Sequence, residues 1–440
     1  MLYNTKMPKL EKGSNKLLNA WAFYDWANSV YNLVITSAIF PIYYASLFKI
    51  STREIKIFGL LVKNTALISF VTAIAFLVVA FISPFLSGIA DFVGNKKSFM
   101  KFFCYLGGFS CIGLFWFDLD AIYISLFTYF IGLIGFWGSL VFYNSYLPDV
   151  AHNNQQDRIS AKGYSLGYIG SVILLLINLA MILNADQENK ILMMKYSFVL
   201  VGIWWIGFAQ YSFYFLPKGN KNNKKITKQI LFNGFKELQK VRSQLVENNS
   251  LKRYLIAFFV YSMAVQTVML VATYFGDQEI LWANDNQQVI GLIISILAIQ
   301  IIAIFGATIT SRASEKVGNI PVLIVINIIW ITICIVAYFI YLPIHFYIVA
   351  GFVGLVMGGI QSLSRSTYSK LIPKTQDTTS FFSFYDVTEK IGIVIGMALY
   401  GIIDQITGSM RNSIIFLTLF FVLGVLLLLR VPKSKSISKL

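Results

Sequence analysis

Apolar stretches long enough to cross a lipid bilayer recur along most of the chain, and this recurrence narrows the fold further than any other feature. A helix rises about 1.5 Å per residue, so roughly 20 apolar residues traverse a hydrocarbon core of roughly 30 Å. The runs fall at 20–48, 59–87, 98–117, 121–147, 162–184, 196–216, 254–276, 288–310, 321–342, 344–371, 381–403 and 412–431. An all-α membrane protein with twelve transmembrane helices is expected. Composition agrees. Of 440 residues, 57% are hydrophobic and 13% charged, against about 25% charged in globular domains. Cys104, Cys111 and Cys334 all lie in apolar runs, with no C-x-x-C pair. Neither a disulfide framework nor a zinc site is indicated, and they read as small buried residues. The polar start MLYNTKMPKLEKGSNK carries no cleavable signal, so the first helix is expected to direct insertion.

The net charge of +16 raises nucleic acid as a partner, but the distribution of charge argues against it. With the N-terminus inside, inner segments hold 28 Lys and Arg and outer segments hold 7. That asymmetry places both termini in the cytoplasm, and the basic charge becomes a topology signal with attraction to anionic membrane lipids. The outer segment 49–63, with Lys49, Arg53, Lys56 and Lys63, fits this least well. Lys, Asn and Ile usage points to an AT-rich bacterial gene, hence a bacterial inner membrane.

Helix eleven poses a length problem. In FFSFYDVTEKIGIVIG (381–396), only 13 apolar residues, Ile391 to Ile403, follow Lys390. They cover roughly 20 Å of a core of roughly 30 Å. Yet the basic segments on either side of helices eleven and twelve both belong inside, so an even number of crossings separates them. Helix eleven must span and draw about seven earlier residues into the membrane. Glu389, Lys390 and Asp386 go with them.

The chain also repeats itself. SGIADFVGNKK (87–97) follows helix two and SRASEKVGNIP (311–321) follows helix eight, matching at an offset of 224. Pro148 after helix four and Pro373 after helix ten match at 225. Duplicated halves with a site between them are a mark of secondary transporters. The expected organisation is a six-helix bundle over 1–216, a basic linker over 217–253, a second six-helix bundle over 254–431 and a tail over 432–440. In the linker, Ile226, Ile230, Leu238, Val241 and Leu245 recur at helical spacing, as in an amphipathic helix lying on the inner membrane surface.

GIADFVGNKK resembles the signature between helices two and three of the major facilitator superfamily. Asp91, Gly94 and Lys96 stand at its spacing, Ser87 replaces its leading glycine and Asn95 replaces an arginine. WAFYDWANSVYNLVITSAIFPIYY (21–44), FYNSYLPDVAHNNQQDRISAKGYSLGYIGS (142–171) and GGIQSLSRSTYSKLIPKTQDTTSFFSFYDVTEKIGIVIG (358–396) resemble the vacuole effluxer-like branch, named for a fungal autophagy-related vacuolar amino-acid exporter. The resemblance implies the major facilitator fold, two pseudo-symmetric six-helix bundles, and transport by alternating access. Amino acids are the cargo it favours.

Asp386 and Lys390 stand i,i+4 with the acid first, the favourable order. Asp386 and Glu389 stand i,i+3 and repel unless one holds a proton, which suits proton coupling with Lys390 as the resetting charge. The competing reading is a structural ion pair. Arg365 is either a snorkelling interfacial arginine, a partner of Asp386 or Glu389, or a clamp for a substrate carboxylate. Asp25 is a cavity residue or a helix N-terminal acid. Asn28, Asn144, Gln266 and Gln361 are polar residues in apolar runs, open to substrate or to interhelical hydrogen bonds. Asp91, Gly94, Lys96 and Lys97, with Glu315 and Lys316 in the matching loop, are expected to gate the inner side through salt bridges between halves. Gly163-x-x-x-Gly167 permits close helix packing.

The sequence has no Walker motif, H-E-x-x-H or G-x-S-x-G, so no nucleotide hydrolysis, metal site, cofactor or enzymatic role is indicated. The reading is a monomeric secondary transporter. Its partners are a small polar substrate, a proton or other coupling ion, and membrane lipids. A lipid or hydrophobic-compound exporter on the same fold and a non-transporting sensor are the alternatives.

Overall fold

The computed structural model describes residues 10–48, 54–57, 59–186, 188–218 and 230–432. Lys49, Arg53, Ile226 and the tail 433–440 lie outside them. The first span is a broken helix: α1 (Asn15–Val30), a π-helical segment (Tyr31–Ala38) and α2 (Ile39–Ser46). Pro41 explains the break, because its ring crowds the carbonyl four residues back and it has no N–H to donate. The turn before it widens: the Ile39 N–H reaches back to the Val34 carbonyl and the Ser37 hydroxyl donates to the Asn32 carbonyl. A hairpin of β1 (Glu54–Ile57) and β2 (Leu60–Lys63) follows, with Glu54 opposite Lys63. Helix two was expected from residue 59, but the chain first closes this hairpin.

Then come α3 (Asn64–Val93), α4 (Lys96–Gly113), α5 (Ile122–Asn144), the short α6 (Leu147–Val150), α7 (Gln156–Leu183) and α8 (Lys190–Phe215). After the linker helix α9 (Ile230–Glu247) stand α10 (Asn249–Glu279), α11 (Asp285–Val317), α12 (Asn319–Phe339), α13 (Pro343–Leu371), α14 (Thr378–Thr407) and α15 (Met410–Leu429). Eleven of these helices are long and apolar enough to cross a membrane, and the broken first span makes twelve.

Most spans outrun the expected bounds, because polar ends of helices find partners in neighbouring helices rather than in loops. The segments expected as inner loops at 88–97 and 311–320 are mostly helical. α3 continues to Val93 and α11 to Val317, and each turn is made at one glycine with positive φ: Gly94 at 68° and Gly318 at 92°. An L side chain is strained in that region, so glycine is the residue that permits so abrupt a turn. The repeat register therefore reappears as two positive-φ glycine corners at matching places, left-handed at Gly94 and extended in ψ at Gly318.

Helix packing repeats as well. In the first half the first span packs on α7 and α8, α3 on α5, and α4 on α5 and α8. In the second half α10 packs on α14 and α15, α11 on α13, and α12 on α13 and α15. Each pairing recurs six spans later. One apolar core runs from Leu17 to Leu216, and the other takes in Tyr168 and residues from Val241 to Val431. The bundles meet where α7 touches α11 and α13, and where α14 touches α3 and α5. The end of the molecule carrying Gly94, Gln156, Gly318 and Thr378 is termed the basic end below.

The linker helix departs from its expected place. Val241 is fully buried in the second core, Leu245 packs beside it, and α9 lies against α3. Its apolar face is turned at least in part to protein, not only to the membrane surface. Lys240 pairs with Asp377, the N-cap of α14, at 2.9 Å.

Candidate functional site

Arg365 is 2% exposed, so it does not snorkel. It projects from α13 of the second bundle into a socket built entirely by the first. Its Nη1 and Nη2 both donate to Asp25 Oδ2 at 3.2 Å, Nη1 also to Asn144 Oδ1 at 3.2 Å, Nη2 to the Ser160 carbonyl at 3.0 Å, and Nε to Ser160 Oγ at 3.0 Å. A guanidinium has five N–H donors, and each has an acceptor here. The rings of Trp21, Tyr143 and Tyr164 lie 4.8, 5.5 and 4.2 Å from its central carbon. Tyr143 donates to the same Asp25 oxygen at 2.8 Å. The partner of Arg365 is thus Asp25, not Asp386 or Glu389, because α13 faces α7 while α14 turns its charges elsewhere. Asp25 accepts side-chain bonds and does not serve as a helix N-terminal acid, since α1 begins ten residues earlier at Asn15.

Gly163 is what lets the socket close. A Cβ there would stand 2.4 Å from Asp25 Oδ2 and 3.1 Å from Arg365 Nη2. Small residues permit this approach of α7 to the ion pair.

The second charged cluster lies on α14, eight to twelve residues from its start, or roughly 12–18 Å along the helix. Lys390 is 1% exposed. It donates to Asp386 Oδ1 at 2.9 Å and Glu389 Oε2 at 3.1 Å, and its ammonium sits 3.8 Å over the Trp137 ring of the other bundle. Gln266 donates to Glu389 Oε1 at 2.9 Å. The second oxygen of Asp386 is buried without a hydrogen-bond partner. The length argument is met by extension at both ends: α14 takes in residues from Thr378 and runs past Ile403 to Thr407. Gln361 accepts from Tyr168 across the bundles at 2.7 Å. Asn28 is buried, accepts from Ser29, and leaves its amide nitrogen unpartnered.

The basic end is closed by two crossings. In one, the carboxylate of Asp91 accepts the N–H groups of Thr379 and Ser380 at 3.2 and 2.7 Å. An acid thereby meets the positive end of the α14 dipole from the other bundle. Lys96 pairs with Asp149 at 2.6 Å within its own bundle and reaches Thr378 Oγ1 at 2.8 Å across the divide. Lys97 donates to the Leu216 carbonyl at the end of α8, inside the first bundle. In the second crossing, Asp157 in the first turn of α7 accepts from Ser314, Asn319 and Lys370 at 2.9, 2.9 and 2.5 Å.

These contacts differ from the salt bridges expected between the halves. Asp91 bonds backbone amides and makes no ion pair with Lys96 or Lys97. Glu315 and Lys316 are exposed and make no hydrogen bond or ion pair between bundles among the described residues. The ion pair that crosses the bundles at this end joins Asp157 and Lys370. Sequence reasoning missed Asp157, Ser160, Asn319 and Lys370. With helix five begun at 162, Asp157 and Ser160 fell in a loop. Its start at Gln156 puts the acid at a helix N-terminus and the serine one turn deeper. No metal-binding group of His, Cys, Asp and Glu occurs among the described residues.

The whole chain can be set beside known proteins. The family described as "Vacuole effluxer Atg22 like" matches residues 13–440. The MFS-type transporter YxiO of Bacillus subtilis (strain 168) is 31% identical over 433 residues, 97% of this chain and 97% of that protein. Autophagy-related protein 22 of Eremothecium gossypii is 27% identical over 285 residues, and the match spans 61% of this chain and 54% of the fungal one. Among solved structures, the major facilitator transporter FucP in its outward conformation has a TM-score of 0.67 at 14% identity, covering 95% of this chain and 99% of that one. The proton:xylose symporter XylE has a TM-score of 0.67 at 13% identity, covering 95% of each. The chain has the major facilitator fold and belongs to the vacuole effluxer Atg22-like family.

Proposed function

We propose that this protein is a secondary transporter that moves a small polar metabolite, with amino acids favoured, by proton-coupled alternating access. The observation that carries this reading is a charge imbalance at mid-membrane. Asp25, Asp386 and Glu389 stand against Arg365 and Lys390, three carboxylates to two cations, with Asp386 Oδ2 unpartnered. A surplus buried charge is costly in a low-dielectric site. A proton or a cationic group on the cargo offsets it, and exchange between the two couples cargo to the proton gradient. All five Arg365 donors have acceptors, and Lys390 spends two of its three on Asp386 and Glu389 with its ammonium over the Trp137 ring, so in this conformation the surplus negative charge is what the site chiefly offers a ligand.

The pattern of contacts fits one step of the cycle. The cross-bundle hydrogen bonds among the described residues run from mid-span to the basic end. Towards the other end the contact is apolar, with Ile296 and Leu297 against the first core. With the basic end in the cytoplasm, as the Lys and Arg asymmetry favours, this is the conformation closed to the cytoplasm. The family membership supports transport, and the fungal relatives are the reason amino acids head the list.

Two measurements test the reading. Thermal stabilisation of the purified protein against amino acids, peptides, sugars, nucleosides and lipids at pH 5.5 and 7.5 identifies the cargo by mass action. The Asp386→Asn/Glu389→Gln variant is then reconstituted in vesicles with that cargo. Loss of gradient-driven flux is expected, in protein that still folds but unfolds at a lower temperature because buried Lys390 keeps no carboxylate partner. Full gradient-driven flux in that variant would sink proton coupling at this cluster.

A further inference from the structure

One concave site lies away from the charged interior. It is a groove of about 340 Å³ on the flank of the second bundle, lined by Arg253 and Ile256 of α10, Leu427 of α15, and Arg430 at the C-cap of α15. α10 starts at the basic end and α15 finishes there, packed side by side. Each supplies an arginine and, three residues deeper, an aliphatic side chain on the same helical face. The step from cation to aliphatic is roughly 4.5 Å along each axis. Ile256 is 46% exposed on what is a membrane-facing surface.

One donor of Arg253 is committed to structure, since Nη1 donates to the Arg430 carbonyl at 2.8 Å. The Arg430 guanidinium is exposed and donates no hydrogen bond among the described residues. Two guanidiniums at the membrane boundary above two aliphatic side chains reproduce the layering of a phospholipid, phosphate above acyl carbon. Guanidinium forks match phosphate oxygens bidentately. Basic pockets between spans on the cytoplasmic side suit anionic head groups. A solvated pair of surface arginines would bring the charge without the matched apolar floor.

We infer that this groove holds one anionic glycerophospholipid, its phosphate on Arg253 and Arg430 and an acyl chain along Ile256 and Leu427. The site is separate from the proposed transport path and does not depend on the cargo.

Native mass spectrometry of the purified full chain tests this with phosphatidylglycerol and phosphatidylcholine of identical acyl chains. One retained phosphatidylglycerol is expected, held more tightly than phosphatidylcholine. Arg253→Gln/Arg430→Gln should weaken it about thirtyfold, from roughly tenfold per 1.4 kcal/mol and about 1 kcal/mol per interfacial arginine. Arg430→Gln alone, which removes no bond of the fold, should weaken it about fivefold, and Arg430→Lys, which keeps the charge but not the fork, should fall between wild type and Arg430→Gln. Lys316→Gln, at the same end but outside the groove, should leave it unchanged. Equal retention of both lipids, an equal loss in Lys316→Gln and Arg430→Gln, or complete displacement by inorganic phosphate would each overturn the assignment. The first two would reduce it to diffuse surface attraction, and the third to a free-anion site.

Discussion

Arg365 and Lys390 are both buried cations near the middle of a membrane protein, and they are held in opposite ways. Arg365 grows from the second bundle, yet all of its donors end on the first: Asp25, Asn144 and Ser160. Lys390 bonds to Asp386 and Glu389 of its own helix and, among the described residues, meets the other bundle at the Trp137 ring and hydrogen-bonds none of it. Parting the bundles at the basic end must therefore empty the Arg365 socket, whereas the Lys390 cluster travels with α14 as a unit. The first is neutral and fully bonded, as befits a tie that marks one conformation. The second carries surplus acid, the feature on which the proposed proton coupling rests. Equal burial does not imply equal purpose; what differs is whose bundle supplies the partners.

The largest effect should come from breaking the tie. Arg365→Ala leaves Asp25 buried with only Tyr143 as donor, and loss of one partner from a buried pair costs about 3–5 kcal/mol. Thermal unfolding should reveal it, and Asp25→Asn/Arg365→Gln should be less damaging than Arg365→Ala because it leaves no orphaned charge. A double variant as unstable as the single would remove the ion pair from the account.

Gly163→Ala comes next. Its new methyl meets Asp25 Oδ2 at 2.4 Å, so the pair must shift. Overpacking of this kind costs about 1–3 kcal/mol. The expected signature is a lower unfolding temperature together with easier opening of the basic end, read by labelling of a cysteine introduced at Ser362. Wild-type labelling would separate Gly163 from the tie.

Asp91→Asn tests the closure in front of α14. It removes a negative charge from a helix N-terminus, a loss of about 1 kcal/mol. Since that contact spans the bundles, the population open at the basic end should rise roughly fivefold at constant fold, seen as faster hydrogen exchange around Thr379. The smallest effect belongs to Glu315→Gln and Lys316→Gln. Both side chains are exposed and, among the described residues, make no hydrogen bond or ion pair across the bundles, and each change should stay within about 0.5 kcal/mol. A larger loss of closure in either would restore the symmetric gate that the sequence led one to expect.

Much of this was legible before any coordinates. Spans were readable because lipid demands about 20 apolar residues each. The burial of Asp386 and Lys390 followed from helix length and crossing parity, a constraint that needs no knowledge of neighbours. The repeat at Gly94 and Gly318 was readable because a helix corner of that kind calls for glycine. Gate partners were not. Asp91 and Glu315 occupy equivalent places in the repeat, yet only Asp91 faces a helix start. At the matching crossing the acid sits on α7 itself, as Asp157. Local pattern cannot distinguish an acid that reaches across from one that is reached.

By itself, then, the sequence determined the number of crossings, the duplicated halves and the presence of charge within helix eleven. Each follows from chain length against bilayer thickness or from a local backbone requirement. Only the tertiary structure decided that Arg365 answers Asp25, 340 residues away in sequence, and that Asp386 keeps one oxygen unpartnered. Hydrogen bonds are settled within about 3 Å, and which side chains come that close depends on how two bundles rest against each other.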